Sequence, residues 1–253
     1  MKKQFVLLGL ALFSIHLGYS QFTLDGEFRP RTEYRNGYGS IIPDAADASF
    51  AVSTRIRLNA GYKTEGYTFY LSLQDVLVWG ENRQLKPEDS NNSFSLFEAW
   101  ADLKLGEGFS TKLDRQAIVY DNQRIMGAVG WAQQARSHDA ALLKYGKGKF
   151  KADIGLAYNQ DFSTTTGNPA GFQSVGTAYN TTGFFSYKTM QYAYLKQSGD
   201  TFSGSFLILN NGFQNFETDG TTPDGLSNLL TVGTHLGYEQ GEFGVDFNAY
   251  LQS

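Results

Sequence analysis

Taken two residues at a time, most of this chain splits into an apolar series and a polar series. A period of two belongs to the pleated strand, whose side chains alternate between faces. In "FRPRTEYR", residues 28–35, Phe28, Pro30, Thr32 and Tyr34 fall on one side and Arg29, Arg31, Glu33 and Arg35 on the other. In "FAVSTRIRLNAGY", Phe50, Val52, Ile56 and Leu58 oppose Ser53, Arg55, Arg57 and Asn59. The same pattern returns in "YTFYLSLQ", "FEAWADLKL", with Phe97 in its apolar series, "KFKADIGLAYN" and "EFGVDFNAYL". About eleven such segments can be read, each near the roughly 9–11 residues that a tilted membrane-crossing strand requires.

The connections constrain the fold further, because short and long ones take turns. "KTEG" (63–66), "GEG" (106–108), "GKG" (146–148), "QSGD" (197–200) and "QG" (240–241) are short. The long ones are expected near 36–48, 80–93, 120–137, 161–183 and 211–228. Tight turns on one side and extended loops on the other characterise outer-membrane barrels. A β-sandwich has no reason to order its loops in this way. The expected fold is therefore all-β: an antiparallel transmembrane β-barrel of outer-membrane type, its apolar face toward lipid.

The first residues agree with that setting. "MKKQFVLLGLALFSIHLGYS" has two lysines, an apolar run from Phe5 to Ile15 and a small-residue site ending at Ser20, the build of a cleaved signal peptide. Residues 1–20 are thus expected to be the signal and 21–253 the barrel domain, exported to the bacterial outer membrane. With 21 Lys and Arg against 25 Asp and Glu, losing Lys2 and Lys3 makes the mature chain more acidic still. That balance argues against a nucleic-acid partner. There is no Cys, which removes disulfides and thiolate metal sites. No cofactor or metal is expected. The 28 Gly, 20 Phe and 15 Tyr beside only 5 Pro favour strands and turns.

Strand polarity adds an expectation about the other end. Counting outward and inward from the first strand, the eleventh runs outward again, and "NAYLQS" lacks the aromatic end of a last barrel strand. Further C-terminal strands are therefore expected to close the barrel, because an open edge has no backbone partners in lipid.

If the polar face lines an aqueous path, Arg29, Arg31, Arg35, Arg55 and Arg57 point into it. All nine arginines lie between Arg29 and Arg136. The guanidinium is always charged and its planar fork fits a carboxylate at two points. Asp25, Glu27 and Glu33 are available as internal partners, so the cluster could fill the interior or face a solute; its concentration in one half favours the solute. An enzyme is not expected. "RSHDA" sets Ser137, His138 and Asp139 side by side, but strand neighbours point to opposite faces, whereas a triad must converge.

The stretch "LDRQAIVYDNQRIMGAVGWAQQARSHDAALLKY", residues 113–145, resembles the alginate-export family of outer-membrane barrels. The likeness rests on Arg115-Gln116, the Asp121-Asn122-Gln123-Arg124 turn, Gly127, Trp131, Gln133-Gln134, Arg136 and Asp139. "RIRL" (55–58) and "LQDVLVWG" (73–80) add to it. Asp114 departs from the pattern, which has glycine before the Arg-Gln pair. The resemblance implies a barrel of roughly eighteen strands whose arginine-lined constriction passes an anionic polyuronate outward. It places Arg115, Arg124, Arg136 and Asp139 in that constriction and implies periplasmic export proteins as partners. The strand pattern sets Arg115 on the side of Leu113, so an irregularity must turn it inward. Gly127 and Gly130 are expected to let 120–137 fold inward, and Trp131 suits either that loop or an interfacial girdle. The alternatives are a general porin for other small anionic solutes and an outer-membrane hydrolase.

Overall fold

Why the strands form and which side they hide can be followed in a computed structural model, which describes residues 21–37, 47–80, 94–159, 187–218 and 222–253. The expected signal peptide lies outside the described residues. Eleven strands follow one another: β1 (Phe22–Arg35), β2 (Ser49–Lys63), β3 (Tyr67–Val78), β4 (Ser95–Gly106), β5 (Phe109–Gln116), β6 (His138–Lys147), β7 (Phe150–Tyr158), β8 (Thr189–Ser198), β9 (Phe202–Phe216), β10 (Pro223–Gln240) and β11 (Phe243–Gln252). They make one sheet in chain order, antiparallel throughout. β1 pairs with β2 and β11 with β10, and no pairing joins β1 to β11 among the described residues. No helix occurs among those residues.

Burial follows the alternation, but with its usual sense reversed. In β1 the apolar series is open, with Phe28 at 67% and Tyr34 at 72% exposure. Across from it, the polar series of β2 and β3 is hidden: Arg55 is 5% exposed, Ser72 1% and Gln74 4%. In water, leaving each large apolar side chain exposed would forgo about 1.5–3 kcal/mol. Leu24, Ile56, Leu71, Ile154, Ile208, Phe247 and Leu251 repeat the pattern along the sheet. A sheet that exposes its apolar face and buries arginine and glutamine is built for a hydrocarbon solvent.

Three details differ from the sequence expectation. The connection expected at 211–228 is mostly strand, because β9 and β10 run far past the turn and leave only a short stretch around 217–222. The ladder itself satisfies the backbone of both strands, so a ribbon can form where neither face is apolar; the Gly/Asn-rich sequence therefore hides a strand. Phe97 is buried, not exposed, because the Arg57 guanidinium carbon lies 3.7 Å from its ring centroid. The cation–π contact outweighs strict alternation at the start of β4. β5 is only 8 residues long, for a reason found at its end.

The short connections behave as read. Gly148 and Gly241 take left-handed backbone, φ 60° and 61°, in the tight turns after β6 and β10. By compactness the chain forms two units. The first holds residues up to Trp100 together with Gly127–Ser137, and the second holds Ala101–Met126 and His138–Ser253. The long segment between β5 and β6 is thus shared out, one part to each.

Candidate functional site

In the first unit the site is assembled by register. β1 and β2 place Arg29 opposite Arg55, Glu27 opposite Arg57 and Arg31 opposite Ser53. Two guanidiniums directly across a ladder repel unless something negative lies between them. Here the carbonyl oxygens of residues 130–133 lie between them. Arg29 donates to the carbonyls of Gly130 (2.5 Å) and Trp131 (2.8 Å). Arg55 donates to those of Ala132 and Gln133, both at 3.1 Å, and to Glu27 through Nε at 2.9 Å. From β3, Gln74 donates to the carbonyl of Gln134 at 3.0 Å, while the Gln133 amide donates to Ser53 Oγ at 2.7 Å. Segment 127–137 is strapped onto the polar face by its backbone.

The strap is bent where glycine was not supplied. Val129 and Ala135 have φ of 50° and 55°, whereas Gly127 and Gly130 do not use the left-handed region. The expected reliance on those two glycines is therefore wrong. For an L-residue that region costs about 1–2 kcal/mol, and a β-branched valine there is a marked outlier. The charged donors that hold the strap offset this strain. Arg136 contributes through its backbone, whose N–H donates to the Ala128 carbonyl at 2.8 Å. Trp131 lies on the strap, its side chain 69% exposed.

The remaining predicted residues have other surroundings. Arg57 donates to Gln74 at 2.8 Å and lies 3.4 Å from Glu27. Arg31 and Arg35 both hold Glu33, at 2.6 and 3.0 Å, and stay 35% and 44% open. In the second unit Arg115 and Asp139 face each other across β5 and β6 as a two-point pair, 2.7 and 2.8 Å. Arg124 is exposed on segment 117–126. His138 Nδ1 meets the Tyr187 hydroxyl at 2.6 Å, while Asp139 is held by Arg115; the two neighbours serve different partners.

The end of β5 explains its shortness. Asp114 has φ 82°, and its carbonyl accepts from the fully buried Gln116 amide at 3.1 Å, which also donates to Ala140 at 3.0 Å. The position where the resemblance calls for glycine is thus one whose backbone favours it. Asp114→Gly is expected to leave stability unchanged or raise it by about 0.5–1 kcal/mol. Asp114→Val should lower it by about 1–2 kcal/mol. Denaturant midpoints of the two variants check the sign.

Sequence reading missed the second anchor. Segment 117–126 lies on the buried face of β6–β9, with Ile118 and Met126 packed among Leu142, Met190, Tyr192 and Leu207. Tyr120 stacks on Tyr194 at 3.9 Å and donates to Asp153 at 2.7 Å. Burial, with Tyr192 and Asp153 nearby, pushes its phenol far above the ordinary value. Asp121 accepts from Tyr194 (2.7 Å), Lys196 (3.0 Å) and Ser205 (2.5 Å), with His235 Nδ1 at 3.7 Å. Burial alone would raise its pKa; those three donors and the Lys196 charge hold it below the usual carboxylate range. The signal was present in "YAYLK", where Tyr192, Tyr194 and Lys196 share the face opposite Ala193 and Leu195.

The architecture has counterparts among solved structures. OmpF of Salmonella typhi, solved in complex with daunomycin, superposes with a TM-score of 0.56 at 12% identity. The match covers 89% of this chain and 64% of that chain. This chain has the outer-membrane β-barrel fold. OmpT of Vibrio cholerae, an outer membrane protein solved with loop L8 deleted, matches at 11% identity over 92% of this chain and 83% of that one, with a TM-score of 0.37. No protein-family model and no curated protein matches the chain.

Proposed function

We propose that this protein is an outer-membrane channel for small anionic solutes, acidic saccharides of the polyuronate kind among them. The observation that carries the reading is the arginine-rich polar face of β1 and β2. Arg29, Arg31, Arg35, Arg55 and Arg57 outnumber Asp25, Glu27 and Glu33 there, and a backbone strap crosses the same face. Porin-like outer-membrane barrels among the structural neighbours support a channel; preference for anions rests on the arginine excess, and the polyuronate class on the resemblance of residues 113–145.

In this reading the half-buried Arg29 and the buried Arg55 hold the strap, while Arg31 and Arg35, half open, present charge to a passing solute. Their shared partner Glu33 keeps that attraction weak, as conduction requires, since a site that binds too tightly does not release. Periplasmic export proteins fit the same reading as partners. In planar bilayers the protein should show a reversal potential on the anion side. Arg31→Glu with Arg35→Glu should move it toward cations. A channel that prefers cations without mutation, or one whose reversal potential ignores the double change, would overturn the proposal.

A further inference from the structure

A second like-charge pair lies in the other unit. β7 sets Lys151 directly opposite Lys196 of β8, and on its other side opposite Gly146 of β6, which offers no side chain. Next along the ladder, Asp153 stands between Lys144 and Tyr194. These groups line a cavity of about 470 Å³, within the range of roughly 300–1,000 Å³ typical of small-molecule sites. Tyr120 and Asp121 from segment 117–126 form part of its wall.

The cavity has donors left over. Asp121 is occupied by Tyr194, Lys196 and Ser205, and Asp153 accepts from Tyr120. Lys144 gives one bond to Asp102 at 2.7 Å and Lys196 one to Asp121, yet an ammonium has three to give. Lys151 makes no hydrogen bond or ion pair among the described residues. Like charges directly opposed across a ladder destabilise it. At the arginine pair the repulsion is absorbed by the carbonyls of 130–133; at the lysine pair Asp121 balances Lys196 and Asp153 lies near Lys151, but among the described residues no acceptor bridges the two ammoniums.

We propose that this cavity is a binding site for a small oxyanion, with Lys151 and Lys196 clamping it and Lys144 completing the set. A carboxylate of a solute and a free inorganic anion share the chemistry needed. The inference goes beyond the channel reading in assigning a binding station of its own, and it rests on that reading only for the solute's passage.

The test uses the full chain in detergent micelles with its lysines carrying ¹³C-methyl labels, titrated with phosphate, acetate, glucuronate and, as a neutral control, glucose. Saturable shifts of the Lys151 and Lys196 signals with the anions and not with glucose are expected. Saturation by glucuronate but not phosphate or acetate identifies a solute carboxylate, and saturation by all three a general oxyanion site. Lys151→Glu should raise the apparent dissociation constant about tenfold or more, and Lys151→Met, which keeps the fold free of a new charge, should weaken binding less. Shifts that never saturate, that glucose reproduces, or that survive Lys151→Glu overturn the site. Bilayer conductance measured on the same samples separates the two readings: anion binding without conductance sinks the channel alone, and conductance without saturable binding sinks the site alone.

Discussion

Arg55→Ala is expected to weaken the protein and, on the proposed channel reading, to widen its path. The side chain is 6% exposed and reaches Glu27 together with the carbonyls of Ala132 and Gln133. Removing it leaves the buried Ala132 carbonyl and the part-buried Gln133 carbonyl and Glu27 carboxylate without their charged donor, a loss of about 2–3 kcal/mol. Arg29 and Gln74 still hold the neighbouring carbonyls, so segment 127–137 should loosen without the sheet coming apart. Single-channel conductance should therefore rise and its noise increase, while the unfolding midpoint falls. Arg55→Lys should rescue only part of both, because an ammonium lacks the planar fork that serves a carboxylate and two carbonyls together. Lower stability with unchanged conductance would show that this segment does not narrow the path.

A comparable loss is expected for Asp121→Ala. The carboxylate is 6% exposed, and its removal strands the Lys196 ammonium and the Tyr194 and Ser205 hydroxyls. Breaking one side of a buried pair costs about 3–5 kcal/mol, here paid at the segment that Asp121 pins. Asp121→Asn should fall between, keeping acceptors for the hydroxyls but not the charge for Lys196. The same contact has a pH signature. Because the folded pKa lies below the ordinary carboxylate value of 3.8, the contribution is complete above about pH 4 and is lost as pH falls through the lowered value. Hydrogen exchange at residues 120–126 should accelerate in the variant at neutral pH and in the parent only under strong acid. Protection unchanged by Asp121→Ala would remove Asp121 as the anchor.

The strands were legible because lipid enforces the alternation: Phe28 and Arg29 cannot trade faces, and a tight turn has few sequences. What hid itself was set by tertiary contacts. Phe97 reads as lipid-facing until Arg57 is seen over its ring. β9 and β10 extend through glycine and asparagine because their ladder does not depend on apolar side chains. The arginines were picked out by their spacing, but Arg29 and Arg55 also reach backbone carbonyls 77 to 102 residues away, and a carbonyl leaves no mark in a sequence. The glycines of 127–137 drew attention for a freedom that Val129 and Ala135 exercise in their place. Asp121 was noticed only as part of a turn, since its donors come from β8 and β9.

The arginines grip residues 130–133 by carbonyls that every amino acid carries. Which side chains ride on that stretch is therefore largely independent of whether it stays in place. Trp131 and Gln134, both exposed, are free to be exchanged without loosening it. What holds the segment is written into the strands and what it displays is written into the segment, so a lineage can alter one without rebuilding the other.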